Sequence, residues 1–306
     1  MAFELKAREP IPRGVRRVVC DRIERALQTF AQSRGETSDD SIHDVRKRIK
    51  QIRGALRMVR KGLGKQTFKK ENRAFRDAAR PLSAARDAKV LVDALDGLIM
   101  HADGTLEGAK LAWLRRTLVE KRQATRKQAL GRSRSVDGVV RALEQARKRV
   151  SEWPLADCDL KAVERGVRKA YAKARRAMKE AGKKDTDAAL HEWRKRTKDV
   201  RYQFELLVGI CKRTAAPLEK QAHNLSDLLG EDHDLYVLAD VVKREKRRDR
   251  LEEVELMEKR IARRRNELQK KAWEIGKKLL DERPRDFLKR LLPCIKSAGQ
   301  RKPVSA

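Results

Sequence analysis

An all-α fold follows from three features of the chain: its composition, the places where its prolines fall, and a motif that occurs twice. Leu, Ala, Arg, Lys and Glu, all good helix formers, dominate the 306 residues, and runs of β-branched residues are short. Prolines are few (Pro10, Pro12, Pro81, Pro154, Pro217, Pro284, Pro293 and Pro303) and fall where elements would begin or end. The motif reads His43-Asp-Val-Arg46-Lys47-Arg48-Ile-Lys50-Gln-Ile-Arg53 in its first copy. In its second copy it reads His191-Glu-Trp-Arg194-Lys195-Arg196-Thr-Lys198-Asp-Val-Arg201. The offset of 148 residues (191 − 43) is close to half the chain, which therefore reads as two related halves.

In the first half, apolar periodicity predicts helices over about 12–33, 40–61, 66–99 and 105–130. The breaks are Arg34-Gly35-Glu36, Gly62-Leu-Gly64 and Ala102-Asp-Gly104, and Thr37 to Ser41 supplies N-cap residues for the second helix. Gly131 to Ser135 interrupts the fourth helix, which resumes to about 151. After Pro154 the scheme repeats, with helices over about 158–181, 186–212, 215–242 and 244–281 and a short one near 284–292. Gly182-Lys-Lys-Asp-Thr makes the first break of this half, and Pro217 suits the first turn of a helix. Two runs of four helices joined by short loops predict two four-helix bundles, residues 1–152 and 153–298, with a tail over 299–306.

Charge bounds the function. The chain carries 77 Lys+Arg against 45 Asp+Glu, a formal net charge of +32, and a charge that large repels itself unless a partner neutralises it. Nucleic acid, an anionic membrane surface and another phosphate polymer are the candidate partners. Aromatic residues make up only 4 %, which weighs against single-strand binding by stacked bases. Cys20, Cys158, Cys211 and Cys294 are scattered without CxxC or metal-ligand spacing, so they are expected as buried free thiols of a reduced cytosol, with no metal and no cofactor. No segment approaches the ~20 apolar residues of a membrane span, so a soluble cytoplasmic chain with no membrane insertion is expected.

The helical wheel gives the motif its direction. His43, Arg46, Lys47, Lys50, Arg57 and Lys61 fall in one sector roughly 100° wide. Opposite them run Ile42, Val45, Ile49, Ile52, Leu56, Val59 and Leu63. The second copy repeats both faces, with His191, Arg194, Lys195 and Lys198 on one side and Arg201 at its margin. Leu190, Trp193, Thr197, Val200, Phe204, Leu207 and Cys211 lie on the other. A basic helix face is usually solvated surface, but such faces mix signs for i,i+4 pairing, and the sector from His43 to Lys61 holds no acid. Uniform sign and repetition in register favour a binding face, to which Arg53 also belongs by matching Arg201.

The following helix of each half adds to it. Arg73, Arg76 and Arg80, after Lys69, form another acid-free stripe that leads to Arg86-Asp87. Their counterparts are Lys220 and His223, then His233-Asp234, at an offset of 147 (234 − 87). Asp87 and Asp234 are expected to orient neighbouring cations. Tyr202 lies beside the second basic face, while Trp113, Trp153, Trp193 and Trp273 are expected in packing.

The paired signature His-x-x-Arg-Lys-x-x-Lys-x-x-Arg, with Leu-Leu-Gly-x-x-His-Asp-x-x-Val in the later half, resembles the CHAD family (conserved histidine α-helical domain). The match lies in His43–Arg57 with Leu82–Val90, and in His191–Glu205 with Leu228–Val237. The resemblance implies two pseudo-symmetric bundles with a basic cleft or pore between them, binding inorganic polyphosphate without catalysis at polyphosphate granules. It also implies association with polyphosphate-metabolising enzymes. Two departures stand out: Arg57 where the second copy has Glu205, and Ala84-Ala85-Arg86-Asp87 in place of Gly230-Glu-Asp-His-Asp234. The ExExK motif of the triphosphate-tunnel domains often fused to such domains is absent, so a stand-alone binding domain is expected.

Three other functions compete. General binding of nucleic acid or another polyanion is supported equally by charge, but no helix-turn-helix or RNA-binding motif is present. His43-Asp44 and His233-Asp234 hint at a phosphohydrolase, yet there is no P-loop, nucleophile elbow or dense carboxylate cluster, and no enzyme is expected. The basic stretch Lys243–Lys271 mixes signs, which suits a solvated helix better than a membrane surface. Because free imidazole titrates near pH 6.5 and bound phosphate favours its charged form, polyphosphate should bind more tightly at pH 6 than at pH 8. A His43→Ala/His191→Ala variant should show a weaker pH dependence in the same titration.

Overall fold

The computed structural model describes residues 2–33, 37–101, 108–130, 133–245 and 250–300. Among these residues there are helices and no strand: α1 (Ile11–Ala31), α2 (Asp39–Met58), α3 (Arg60–Leu63), α4 (Lys65–Ala79), α5 (Ser83–Met100), α6 (Gly108–Leu130), α7 (Ser133–Val150), α8 (Leu160–Lys184), α9 (Asp187–Arg244), α10 (Leu251–Leu280) and α11 (Pro284–Gln300). The breaks expected at Arg34–Glu36 and Ala102–Gly104 lie outside the described residues, as does the tail from 301.

Local chemistry explains where helices start and stop. Ser38 caps α2 by accepting from the Ser41 N–H at 3.0 Å, and Asp39 and Asp40 complement the helix dipole in its first turn. Asp159 and Thr186 cap α8 and α9 in the same way, accepting from the N–H groups of Ala162 and Ala189. The single helix expected over 66–99 is two. Pro81 has no N–H to offer the Asp77 carbonyl, which accepts from the Arg80 N–H instead at 3.1 Å, and the chain turns before α5. The break expected near residue 213 appears as a kink inside the 58-residue α9, where Cys211 leaves helical geometry at φ −131°, ψ 48°. Pro217 removes the donor that the Arg213 carbonyl would accept, so the weakness in the hydrogen-bond ladder falls beside the kink.

Every apolar residue assigned to the inner faces of the two motif helices is buried, from Ile42 to Leu63 and from Leu190 to Cys211. Trp153 and Trp193 are buried as well, and Trp113 and Trp273 pack half-buried against the cores. The cores do not follow the sequence halves. The larger one runs from Phe3 to Ile295 and joins α1, α2, α4 and α7 to α8, α11, the end of α10 and α9 as far as Leu229. The second gathers Val92, Leu95 and Leu98 of α5, Leu111, Leu114 and Leu118 of α6, the end of α9 and much of α10. The four cysteines are not all free thiols: Cys211 and Cys294 form a disulfide across 83 residues, tying the kink of α9 to α11, while Cys20 and Cys158 are free.

The crossing of α2 over α9 brings the two motif copies together. A Cβ on Gly54 would stand 2.7 Å from the Tyr202 Cβ, so only glycine permits this approach. Gly54 and Tyr202 are separated by the motif offset of 148 (202 − 54), so matched positions meet. On either side, Gln51 donates to Glu205 at 2.8 Å and Arg57 pairs with Asp199 at 3.2 Å. The offset maps 51 onto 199 and 57 onto 205, so the two contacts join matched positions in exchanged order. Gly54→Ala should push the helices apart and destabilise the fold by about 1–3 kcal/mol, read as a lower denaturant midpoint with an unchanged slope.

Candidate anion-binding cavity

Beside this crossing lies a cavity of about 620 Å³. From α2 it takes His43, Arg46, Lys47 and Lys50, whose i, i+3, i+4, i+7 spacing puts them on one helix face. From α9 before the kink it takes His191, Arg194, Lys198, Arg201 and Tyr202. The same helix beyond the kink supplies His223, Asp227, His233, Asp234 and Val237, and α5 supplies Arg86, Asp87, Val90 and Leu91. Seven basic side chains (four Arg, three Lys) thus share the lining with three aspartates and four histidines.

Several of these cations are held in place by their surroundings. Arg46 donates to the Ser83 hydroxyl at 2.5 Å and to the Ala79 carbonyl at 3.4 Å, which fixes it to the turn between α4 and α5. Arg194 pairs with Asp234 at 3.7 Å. Arg201 contacts the His223 ring at 3.0 Å and lies 3.7 Å from both Glu219 and Asp227. Among the described residues the Nε atoms of Arg46 and Arg194 are buried without a hydrogen-bond partner, a costly state. Lys50 and Lys198 occupy equivalent motif positions (198 − 50 = 148), and among the described residues neither has a hydrogen-bond or ion-pair partner.

The α9–α10 contact fixes the far wall. Asp232 is buried and accepts from Arg265 at 2.9 Å and from Gln269 at 2.8 Å, which anchors the turn carrying His233 and Asp234. His191 and His233 meet with their Nδ1 atoms 3.3 Å apart, so one ring donates and the other accepts and must be neutral there.

Burial and mutual repulsion set the protonation of the empty cavity. Lys198 falls to about 7, first through burial and then through Arg194 and Lys50. Lys50 falls to about 8, again through burial, followed by Arg46 and Arg194. His43 and His191 are both pushed below the ordinary imidazole value by burial and neighbouring cations. His233 falls to about 4 by burial, with Arg194 and His191 adding to it. Burial raises the Asp234 carboxyl, opposed by Arg194 and Lys198. The sequence placed pH sensitivity on the histidines. The two lysines also titrate within the physiological range, so a histidine-free variant retains part of it.

Ten of the residues nominated from sequence line the cavity; seven do not. Arg53 turns away and donates to Asn72 at 3.0 Å, and Arg57 is engaged with Asp199. Arg73, Arg76 and Arg80 are exposed on and after α4, which packs on α2 and α7. Lys195 is exposed and pairs with Glu192 at 2.8 Å, and Lys220 is exposed on α9. The nomination omitted Arg86, Asp87, Asp227, His233 and Asp234. The offset of 147 between Arg86-Asp87 and His233-Asp234 was the signal for four of them. Among the described residues no helix is long and apolar enough to cross a membrane, and no group of three His, Cys, Asp or Glu residues is placed to hold a metal.

Comparison with known proteins agrees with this architecture. The uncharacterized protein MT2285 of Mycobacterium tuberculosis (strain CDC 1551 / Oshkosh) is 28% identical over 242 residues, 75% of this chain and 45% of that protein. The chain thus spans less than half the length of that relative. The crystal structure of the CHAD domain from the plant Ricinus communis superposes with a TM-score of 0.62 at 16% identity, covering 92% of this chain and 95% of that one, a likeness of fold. The family model of the CHAD domain matches residues 21–243, which contain every residue lining the cavity. The chain belongs to the CHAD domain family.

Proposed function

We propose that the cavity binds inorganic polyphosphate and that the protein is a binding protein without catalytic activity, acting in the cytoplasm at polyphosphate granules. The observation that carries this reading is the convergence of Arg46, Lys50, Arg194 and Lys198, from two copies of one motif, on a single cavity in which both lysines lack partners. A polyphosphate chain offers phosphoryl oxygens and nothing else to recognise. Arginine meets them as a bidentate fork and lysine as a point charge. Asp234 beside Arg194 fixes the direction of one fork at the cost of some of its charge.

Size bears on the competing polyanion. At about 620 Å³ the cavity falls in the range of small-molecule pockets, roughly 300–1,000 Å³. It suits a bare phosphate chain better than a duplex whose major groove alone is about 12 Å wide. Association with polyphosphate-metabolising enzymes would follow if the bound polymer projects from the cavity.

A titration of long-chain polyphosphate at near-physiological salt, with double-stranded DNA at equal phosphate as competitor, tests this. Wild type should bind polyphosphate with DNA failing to displace it. The Arg46/Lys50/Arg194/Lys198→Ala variant, folded by circular dichroism, should lose about 100-fold or more in affinity. Equal competition by DNA would replace this reading with general polyanion binding.

Proton linkage gives a second test. In the empty protein both lysines are charged at pH 6, but Lys198, at about 7, and Lys50, at about 8, are largely neutral at pH 9. Phosphate favours the charged amines, so binding at pH 9 takes up protons and affinity falls from pH 6 to pH 9 by about tenfold or more. A Lys50→Arg/Lys198→Arg variant should flatten that fall, measured by calorimetry in buffers of differing ionisation enthalpy.

The same lysine weighs on the ligand-free fold. The pKa of Lys198 is about 7 when folded against 10.5 for a solvent-exposed lysine of the unfolded chain, so the unfolded state binds more protons between those values and stability rises with pH across that window. The penalty is full below pH 7. Lys198→Met should therefore stabilise the empty protein by about 1–4 kcal/mol at pH 6, and by progressively less toward pH 10, while weakening polyphosphate binding.

A further inference from the structure

We infer that Lys198 is a site of acylation by acyl phosphates, the mixed anhydrides of a carboxylic acid and phosphate, held in the cavity by their phosphate end. This rests on the reading that the cavity holds phosphate groups. An exposed lysine such as Lys195 is solvated and engaged with Glu192 at 2.8 Å, outside the cavity. Lys198 differs in three ways. It lines the cavity, among the described residues it has no hydrogen-bond or ion-pair partner, and Arg194, Lys50, Asp234 and Asp227 are the charges around it. Burial and the two cations lower its pKa to about 7, so a large share of it is nucleophilic at neutral pH. Lys50 shares this setting to a lesser degree, at about 8.

Geometry does the rest. A phosphate anchored by Arg194 and Arg46, which line the cavity together with Lys50 and Lys198, leaves the adjoining carbonyl carbon among the amines of the same space. The Lys198 nitrogen attacks that carbon, the bond from carbon to the bridging oxygen breaks, and inorganic phosphate leaves with the electron pair. The proton lost from nitrogen ends on the departing phosphate, and an amide remains. The modified side chain is neutral and longer, so it removes a cation from the cavity and fills part of it. Acylation would thus switch off polyanion binding in proportion to the supply of activated acyl groups.

The test uses the full chain, acetyl phosphate as probe and a mass-spectrometric time course of acetylation at each lysine. Lys198 should react at least tenfold faster than Lys195 and Lys220 at pH 7.5, and saturating tripolyphosphate should abolish that preference. With p-nitrophenyl acetate, which has no phosphate, the preference should shrink several-fold. A Lys198→Arg variant should show no comparable fast site except Lys50. Reaction at Lys198 no faster than at Lys195 overturns the inference. If tripolyphosphate binds by calorimetry while Lys198 is unreactive, the acylation inference alone fails. If tripolyphosphate does not bind but acetyl phosphate still modifies Lys198 selectively, the polyphosphate reading fails and the acylation inference stands.

Discussion

The close passage of α2 over α9 at Gly54 and Tyr202 is the constraint on which the rest of the structure depends. It brings together two helices whose cavity-facing sides carry Arg46, Lys47 and Lys50 on one and Arg194, Lys198 and Arg201 on the other, at a distance that these charges oppose. After burial, Arg194 and Lys50 lower the pKa of Lys198, and Arg46 and Arg194 lower that of Lys50, as that opposition requires. The larger core offsets it: Ile49, Ile52 and Leu56 on one helix, and Val200, Phe204 and Leu207 on the other, are removed from water. The Gln51–Glu205 and Arg57–Asp199 contacts then set the register on both sides of the crossing. Apolar burial thus holds the cations where they would not gather by themselves.

Much of this was legible in the sequence because helical periodicity is a local property. The inner faces of both motif helices were read residue by residue from 100° steps, and the capping residues Ser38, Asp159 and Thr186 stand where short polar side chains precede apolar runs. The helix break at Pro81 was misread, because the apolar rhythm continues across it although the hydrogen-bond ladder cannot. The site was legible only in part. Ten nominated residues reach the cavity, but Arg53 and Arg57 share a sequence pattern with them and face Asn72 and Asp199 instead.

What escaped the sequence depends on distant packing. Arg86 and Asp87 enter the cavity because α5 lies against the far portion of α9, a contact that no local pattern encodes. The lowered values of Lys50 and Lys198 need burial that arises only when both helices are in place. Cys211 and Cys294, apart by 83 residues, looked like isolated thiols until the kink and α11 brought them together. The bond anchors the bend that lets one helix wall the cavity twice, with His191 to Tyr202 on one side of Cys211 and His223 to Val237 on the other.

The sharing of both hydrophobic cores between the sequence halves has a consequence for how the chain is made. Val92, Leu95 and Leu98 of α5 and Leu111, Leu114 and Leu118 of α6 are covered by residues from Leu235 to Leu268. During synthesis these side chains emerge well before their cover, so the nascent first half carries an uncapped apolar surface while more than a hundred further residues are still to be added. Both cores draw on residues from either side of the boundary that the repeat suggests. The two copies of one motif lie on helices that share the larger core, so a cut between the halves would part side chains that shield one another from water.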